Sequence, residues 1–240
     1  MIEILLKRHL QGVSARSVLD VGPGYADFSR ISAQVTGATS ITFVDNDERV
    51  LAWQTEECDK IGMESRSLRR VIGAEKLGLE DSYDIVHCQE VLEHLSDPGL
   101  LLSQLQNKLS SHGKIIISVP TRISERWLKF LNSTYMWNEP YGHVQEFNER
   151  KLRLMLKDSG LRIVTLIPTQ PHYFLSHSWM ALARMKIEGS SGKVLTQDWR
   201  ASILRCVNVW SRKIFLLTGM TWWGYLLPRN YFIIAARDQS

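Results

Sequence analysis

The chain has 240 residues, of which 44% are hydrophobic and 22% charged, as in a globular protein with one large core and room for a small appended element. Its net charge is +4, and its three scattered cysteines (Cys58, Cys88 and Cys206) exclude a disulfide framework and a zinc cluster. Reduced thiols favour the cytoplasm, and the charges within the N-terminal stretch MIEILLKRHLQG predict that no signal peptide is present.

Hydrophobic periodicity and turn residues predict helices and strands in alternation. The predicted elements are a helix over 2–11, a strand over 18–21, a helix beginning at 26–28, a strand over 40–44, a helix over 48–60, a strand over 83–87, a helix from 98 to near 113, a strand over 114–120, a helix over 148–160 and strands over 161–168 and 230–236. This alternation predicts an α/β fold with a doubly wound, mostly parallel sheet, whose ligand binds beyond the carboxyl ends of the strands.

The segment VLDVGPGYADFS, residues 18–29, predicts a buried strand, a tight turn and a helix start. Gly22 and Gly24 let bare backbone approach a ligand, and the helix start directs N–H groups at an anionic part of it. A dinucleotide-binding loop has a third glycine where this chain has Asp27, and a carboxylate there repels a pyrophosphate. The turn therefore disfavours a nicotinamide cofactor, while Asp45, which ends the next strand, can bind ribose hydroxyls.

Five motifs follow one another within residues 17–168: VLDVGPGYADFS, VDND, YDIVHCQEVLEHLSDP, GKIIISVP and GHVQEFNERKL. The series resembles class I S-adenosylmethionine-dependent methyltransferases, in particular the small-molecule branch that includes the ubiquinone-biosynthesis O-methyltransferases. The resemblance implies a seven-stranded Rossmann-like sheet and S-adenosylmethionine as cofactor. The cofactor-binding positions that it implies are Asp20, Gly22, Pro23, Gly24, Phe28, Asp45, Asn46, Ala74, Glu75 and Gln89.

The resemblance also implies how these positions divide along the cofactor. Asp20, Gly22 and Gly24 surround the methionine end, Asp45 binds the ribose, and Asn46 lies beside the adenine. The adenine side departs from the family, whose members often read Gly-Asp-Ala-Glu where this chain reads IGAE and lacks the aspartate. The glutamate of that stretch is either a substitute ligand or a solvated loop charge.

A second polar group consists of Glu90, Glu93 and His94. If this stretch forms one helical turn, the three side chains share a face and can hold a divalent cation. His143, later in the chain, can supply a fourth ligand, and the pattern resembles the magnesium site of some ubiquinone-pathway and small-RNA 2′-O-methyltransferases. A magnesium ion there binds two adjacent acceptor hydroxyls and favours the attacking alkoxide.

The same residues have interpretations that need no metal. Glu93 and His94 can cap a helix or hydrogen-bond a substrate lid. Alternatively, His94 or His143 is a general base that takes the proton of an acceptor hydroxyl, because the pKa of histidine lies near the working pH. The predicted catalytic residues are therefore Glu93, His94 and His143, with magnesium as an open alternative.

The predicted domains are a cofactor-binding core over 1–168, an insertion over 169–229 and a final strand over 230–240. Two segments, one within the core and one that is the insertion, are predicted to shape an acceptor pocket. The first, residues 121–147, is either a packed lid or a wall for an apolar or sugar face. Its aromatic residues are Trp127, Phe130, Tyr135, Trp137 and Tyr141. The second is a long helical insertion or lid over 169–229.

The chain from residue 169 onward has nine basic and three acidic residues, a net charge of +6. These charges are spread without a dense stripe, which disfavours nucleic acid as a partner. The run IFLLTGMTWWGYLL over 214–227 is too short to span a bilayer. It predicts a buried helix, a lid or an interfacial helix in peripheral contact with a membrane.

The sequence thus predicts a methyltransferase that uses S-adenosylmethionine to methylate a hydroxyl of a small-molecule, glycan-linked or lipid-linked acceptor. Two alternatives stay open: a cofactor-binding partner subunit that has lost catalysis, and a methyltransferase directed at nitrogen or carbon. The predicted location is the cytoplasm, with residues 214–227 as a means of membrane association.

Overall fold

A computed structural model describes residues 2–72, 77, 81–131, 142–170, 178 and 228–238. Its helices are α1 (Ile2–Leu10), α2 (Phe28–Thr36), α3 (Glu48–Asp59), α4 (Pro98–Lys108), α5 (Arg122–Leu131) and α6 (Glu149–Asp158), with a 3-10 turn over Leu92–His94. Its strands are β1 (Ser17–Val21), β2 (Ser40–Asp45), β3 (Glu64–Arg69), β4 (Tyr83–Gln89), β5 (Leu109–Pro120), β6 (Leu161–Thr169) and β7 (Asn230–Arg237). The alternation of helices and strands confirms the predicted α/β class.

The strands form one seven-stranded sheet in the order β3-β2-β1-β4-β5-β7-β6. β1 pairs in parallel with both β2 and β4, and the pairs β2–β3 and β4–β5 are also parallel. Successive strands are therefore added on one side of β1 up to β3 and on its other side from β4 onward. Val21, the last residue of β1, pairs with Cys88 of β4. This is the doubly wound topology that the sequence predicts, and ligands bind such sheets at the point of reversal.

Burial along the strands follows their positions in the sheet. In β1, Val18, Leu19 and Val21 are fully buried, as expected of a central strand covered on both faces. In β3, the polar sequence ESRSLR leaves four of six residues exposed, which suits a strand at the edge. The apolar core therefore lies around the strands whose carboxyl ends carry the predicted cofactor residues.

Two helices start at the capping residues that the sequence indicates. The side-chain oxygens of Asp97 and Asn148 accept backbone N–H groups three residues further on, at 3.1 and 2.8 Å. Pro98 takes the first position of α4. Gly160, with a φ of 71°, follows α6 as predicted for a helix end.

The prediction that the helix after Asp97 ends near Gly113 is wrong. α4 ends at Lys108, and Gly113 lies inside β5, where the register with β4 is irregular. A Cβ on Gly113 would lie 2.9 Å from the carbonyl oxygen of Tyr83, so the glycine permits close strand pairing. A glycine after an apolar helix and a glycine in a bulged strand look alike in sequence.

The chain divides into two compact units. The first comprises Met1–Val119, Asn148–Leu166 and Phe232–Ser240, and the second comprises Pro120–Phe147 and Ile167–Tyr231. Residues 171–177 and 179–227, most of the predicted insertion including the apolar run, lie outside the described residues. Within the described part of the chain, no helix is long and apolar enough to cross a membrane.

Candidate functional site

The turn after β1 presents bare backbone at the carboxyl end of the sheet. Gly22 has a φ of 67°, and its N–H donates to the carbonyl oxygen of Val44 at 2.8 Å. A Cβ on Gly22 would lie 2.5 Å from Val91 Cγ2, so only glycine fits there. Gly24 has a φ of 52°, and a Cβ on it would meet no atom of the described residues within 4 Å. Gly22 thus serves packing, whereas Gly24 faces open space from which a ligand can approach.

Two further predicted cofactor positions flank this turn. Pro23 is buried within it, and Phe28 is half-buried as the first residue of α2. Asp27, at the N-terminus of α2, is exposed and makes no side-chain capping hydrogen bond. The helix therefore starts beside the turn, as the motif predicts.

A glutamine that the sequence analysis did not single out holds the turn. Gln54 on α3 is fully buried, and its Nε2 donates to the carbonyl oxygens of Gly24 and Ala26, both at 2.8 Å. Its Oε1 accepts a hydrogen bond from the Arg30 guanidinium. The only sequence signal for this role is a polar residue on the otherwise apolar buried face of α3.

Two predicted cofactor carboxylates lie buried near the ends of β1 and β2. Asp45 is 8% exposed, and its Oδ1 accepts the N–H of Asp47 at 2.9 Å. No described residue donates to its Oδ2, which leaves that oxygen open to a ligand. Burial raises the pKa of Asp20 to about 6, although the Ser29 hydroxyl and the Arg30 guanidinium oppose that shift.

Gln89 ends β4 with a buried acceptor. Its Nε2 lies 2.8 Å from His87 Nδ1, and His87 Nε2 lies 2.9 Å from Ser32 Oγ. Burial lowers the pKa of His87 to about 3, so the ring is neutral. Because an amide NH₂ can only donate, Nδ1 accepts from it and Nε2–H donates to Ser32. Gln89 Oε1 is thereby turned away and has no hydrogen-bond partner among the described residues.

Gln89 is predicted from its motif, whereas the two residues that orient it are not. A histidine inside the continuous apolar strand YDIVHCQ is the signal that could have found His87. Ser32 gives no comparable signal, because serine on a helix is common. The remaining predicted cofactor positions are Asn46, which is exposed, and Ala74 and Glu75, which lie outside the described residues.

Glu90, Glu93 and His94 do not form one helical turn, so the condition for their sharing a helix face is not met. Glu90 has a left-handed φ of 55° and precedes the 3-10 turn over Leu92–His94. Its N–H donates to the carbonyl oxygen of Ser118 at 2.9 Å, and its Oε1 accepts from the Ser118 hydroxyl at 2.7 Å. Pairing with β5 thus holds Glu90 apart from the helical stretch. Glu93 is fully buried in the 3-10 turn, whereas His94 is exposed.

His143 lies in the second unit, beside two residues that the sequence analysis did not indicate. Its Nδ1 is 2.8 Å from Glu125 Oε2, and Arg229 Nη1 donates to Glu125 Oε1 at 2.9 Å. The exposed fractions of His143, Glu125 and Arg229 are 3%, 1% and 3%. No sequence pattern links Glu125 to Arg229, because 104 positions separate them.

The predicted acceptor-pocket aromatics that the structure describes lie on α5. Trp127 and Phe130 stack with ring centroids 5.9 Å apart and are 42% and 80% exposed. The Trp127 indole N–H donates to Ser178 Oγ at 2.9 Å. Tyr135, Trp137 and Tyr141 lie outside the described residues.

The sequence profile of the methyltransferase domain family matches residues 2–166, more than half of the chain. This chain belongs to that family. The methyltransferase is 27% identical over 177 residues to the ubiquinone biosynthesis O-methyltransferase of Pseudomonas savastanoi pv. phaseolicola, which covers 69% of this chain and 75% of the relative. It is 31% identical over 125 residues to the protein of that name from Idiomarina loihiensis, and the match covers 51% of this chain and 50% of the relative.

Solved structures share the fold of the methyltransferase. An S-adenosylmethionine-dependent methyltransferase from Mesorhizobium loti matches with a TM-score of 0.62 at 14% identity, over 99% of this chain and 98% of that one. The cyclase SpnF matches with the same TM-score of 0.62 at 13% identity, over 99% of this chain and 82% of the SpnF chain. The fold thus also occurs in a protein named for another reaction, and the family match establishes the enzyme class.

S-adenosylmethionine is the cofactor of the methyltransferase, and the residues at the carboxyl ends of β1, β2 and β4 fit it. Gly24 offers open backbone, Asp45 a buried carboxylate oxygen, and Gln89 an unsatisfied buried acceptor. The cofactor carries the hydroxyl and ammonium donors that such acceptors require. The comparisons lend no support to magnesium, which stays a prediction.

Proposed function

We propose that this methyltransferase transfers the methyl group of S-adenosylmethionine to a hydroxyl oxygen of a small-molecule, glycan-linked or lipid-linked acceptor. The observation that carries the proposal is the buried pair of His143 and Glu125, an imidazole held by a carboxylate at 2.8 Å. Such a pair can act as a general base, and a hydroxyl acceptor must lose its proton to become methylated. The names of the curated relatives, ubiquinone biosynthesis O-methyltransferases, support the same direction.

The first unit has the task of binding and orienting. When bound, S-adenosylmethionine supplies a methyl group on a sulfonium, which is a good leaving group. We assign Asp45 Oδ2 to the ribose hydroxyls and Gln89 Oε1 to the ammonium group, because each is an acceptor at the carboxyl end of the sheet. Gln54 keeps the turn at Gly24 in one conformation, so the chain binds the cofactor on a preformed surface.

His143 is the base in this proposal. Glu125 faces His143 Nδ1, so His143 Nε2 is the atom that takes the proton of the acceptor hydroxyl. His143 suits this task better than His94, because His143 is buried and oriented by a carboxylate whereas His94 is exposed. We therefore prefer His143 among the predicted catalytic residues.

The proposal is tested by following the methyl group itself. The purified chain is incubated with ¹³C-methyl S-adenosylmethionine and fractionated small-molecule and lipid extracts, and the labelled products are identified by NMR. We expect the label in methyl ethers, whose carbon shifts differ from those of N-methyl and C-methyl groups. Label on nitrogen or carbon would contradict the proposed hydroxyl acceptor.

The same experiment separates the inactive-subunit alternative. Calorimetry with S-adenosylhomocysteine reports whether the chain binds the product of the cofactor. Tight binding without label transfer to any fraction would favour a partner subunit that has lost catalysis. Label transfer above that of a heat-denatured control would exclude this alternative.

A further inference from the structure

We propose that Glu125 is a positioning residue, which fixes the His143 ring with its proton on Nδ1 and so makes Nε2 the basic atom. The inference rests on the proposed function in one respect, namely that His143 is the general base. Its evidence lies entirely within the second unit, in contacts that join α5 to the residues before β7.

Both oxygens of the Glu125 carboxylate are engaged. Oε2 lies 2.8 Å from His143 Nδ1, and Oε1 accepts from Arg229 Nη1 at 2.9 Å. The backbone N–H of Glu125 donates to the carbonyl oxygen of Thr121 at 3.0 Å, which fixes the start of α5. A carboxylate held at both oxygens cannot turn away from the imidazole, so the ring orientation is fixed too.

Arg229 is itself held on several sides. Its backbone N–H donates to the carbonyl oxygen of Thr169 at 3.1 Å, and its own carbonyl oxygen accepts the N–H of Thr121 at 2.9 Å. Its Nη1 also donates to the hydroxyl oxygen of Ser124 at 3.1 Å. The guanidinium therefore reaches Glu125 from a fixed backbone, so that Arg229 can hold the Glu125 carboxylate in one orientation.

The charges of the cluster determine where the ring proton lies. The Glu125 and Arg229 side chains are 1% and 4% exposed, and their opposite charges balance each other. An ionised carboxylate can only accept, so the proton between the two residues belongs to Nδ1.

The tautomer can be observed directly in the unliganded chain. Long-range ¹H–¹⁵N spectra distinguish protonated from unprotonated ring nitrogens, and the spectrum of His143→Asn identifies the His143 signals among those of seven histidines. We expect the protonated-nitrogen shift at Nδ1 of His143 and the lone-pair shift at Nε2. The opposite assignment in the parent chain would overturn the proposal.

Glu125→Gln replaces a carboxylate oxygen that accepts from His143 with an amide NH₂ group that donates, at nearly constant side-chain size. The amide oxygen pairs with Arg229, which has only donors, so the amide NH₂ turns towards His143 Nδ1 and that nitrogen must accept. We expect the ring proton to move to Nε2 in this variant. Glu146→Gln is the matched control, because Glu146 binds Arg122 and Arg126 of the same helix and its change should leave the His143 spectrum as it is.

Kinetics separate positioning from a merely structural role. With a fixed extract fraction as acceptor, Glu125→Gln should lower the maximal rate about 100-fold or more, the range of general-base catalysis, while KM for S-adenosylmethionine changes less than about threefold. A parallel rise in that KM would indicate a structural role. Glu146→Gln should keep the parent rate.

The outcomes distinguish this inference from the proposed function. Full activity of His143→Asn would overturn the base role even if the Nδ1–H tautomer is observed. An inactive His143→Asn beside a fully active Glu125→Gln would overturn the positioning role alone. If Glu125→Gln does not fold because Arg229 is left unbalanced, the double variant with Arg229→Met removes that charge, and the parent spectrum still decides the tautomer.

Discussion

Gln89 shows how one buried atom can favour a ligand. Its Oε1 has no hydrogen-bond partner among the described residues, while its Nε2 lies 2.8 Å from His87 Nδ1. A buried acceptor without a donor destabilises a protein by about 1–3 kcal/mol, so a cofactor that supplies the donor binds more tightly. We infer that the site is built to be completed by a ligand.

Replacing Gln89 with methionine removes this acceptor at similar volume. We expect the Kd of S-adenosylhomocysteine to rise about tenfold, equivalent to about 1.4 kcal/mol, because one buried hydrogen bond is lost. Calorimetry of the purified variant measures the change. Gln11→Met, at an exposed position, is the control, and an unchanged Kd in Gln89→Met would exclude the proposed contact.

Asp20 makes the stability of the ligand-free chain depend on pH. Burial raises its pKa to about 6, above the unfolded value of 3.8, so between these pH values the folded state keeps a proton that the unfolded chain has lost. The contribution of Asp20 is therefore most favourable below pH 3.8 and is lost as pH rises through about 6.

Asp20→Asn should remove this dependence. We expect the Tm of the variant minus the Tm of the parent, both measured without cofactor, to increase as pH rises from about 4 to about 7. This is the interval over which the raised pKa of Asp20 changes stability. Other carboxylates titrate in both proteins, so the difference between the two curves isolates Asp20. A constant difference across this interval would mean that Asp20 does not carry the shift.

At the scale of the elements, the two glycines of the turn after β1 have different roles: Gly22 permits close packing, and Gly24 permits the approach of a ligand. Gly22→Ala places a methyl group 2.5 Å from Val91 Cγ2 at a left-handed φ, which we expect to lower the free energy of unfolding by about 2–4 kcal/mol. Gly24→Ala meets no described atom within 4 Å, so it should cost only about 1–2 kcal/mol from its φ. Urea unfolding of the two variants measures both values.

Cofactor binding should then separate Gly24 from a glycine of the same geometry. Gly62 also has a positive φ, 66°, and open space around it, but it lies after α3. We expect Gly24→Ala to weaken S-adenosylhomocysteine binding at least tenfold by blocking the close approach of the ligand to the backbone, and Gly62→Ala to leave it unchanged. Equal affinities would refute the idea that the ligand approaches at Gly24.

The elements that the sequence predicts well are those with local signals. The turn at Gly22, the caps at Asp97 and Asn148 and the carboxylate Asp45 each follow from residues within a few positions of one another. The exception, Gly113, has a local signal with two structural meanings, and only the pairing of β5 with β4 distinguishes them.

The partners that orient the site residues could not be predicted in the same way. Gln54 binds Gly24 from 30 positions away, and Ser32 binds His87 from 55 positions away, so only the packing of the sheet brings them together. One sequence gives no record of such pairs, since each residue alone is an unremarkable polar side chain. Sequence patterns thus identified Gln89 and His143 but not the residues that fix them.

At the scale of the whole molecule, the sheet is completed by the last described segment of the chain. β7 lies between β5 and β6, although 60 residues separate Thr169, the end of β6, from Asn230. Phe232, Ile233 and Ile234 are at most 1% exposed. The core that carries the cofactor residues therefore includes side chains from the far end of the sequence.

Deleting residues 230–240 should consequently prevent cooperative folding. β5 and β6 would each lose a neighbour, and the apolar side chains that cover Phe232 and its neighbours would face water, a loss on the scale of several large-to-small core substitutions at about 2–5 kcal/mol each. Tryptophan fluorescence during urea unfolding should show a broad transition without a defined midpoint. Deleting only residues 239–240 is the control, because it spares β7 and the Arg237 guanidinium that donates to the Leu109 carbonyl oxygen. A sharp transition at the parent midpoint after the longer deletion would show that β7 is dispensable for the core.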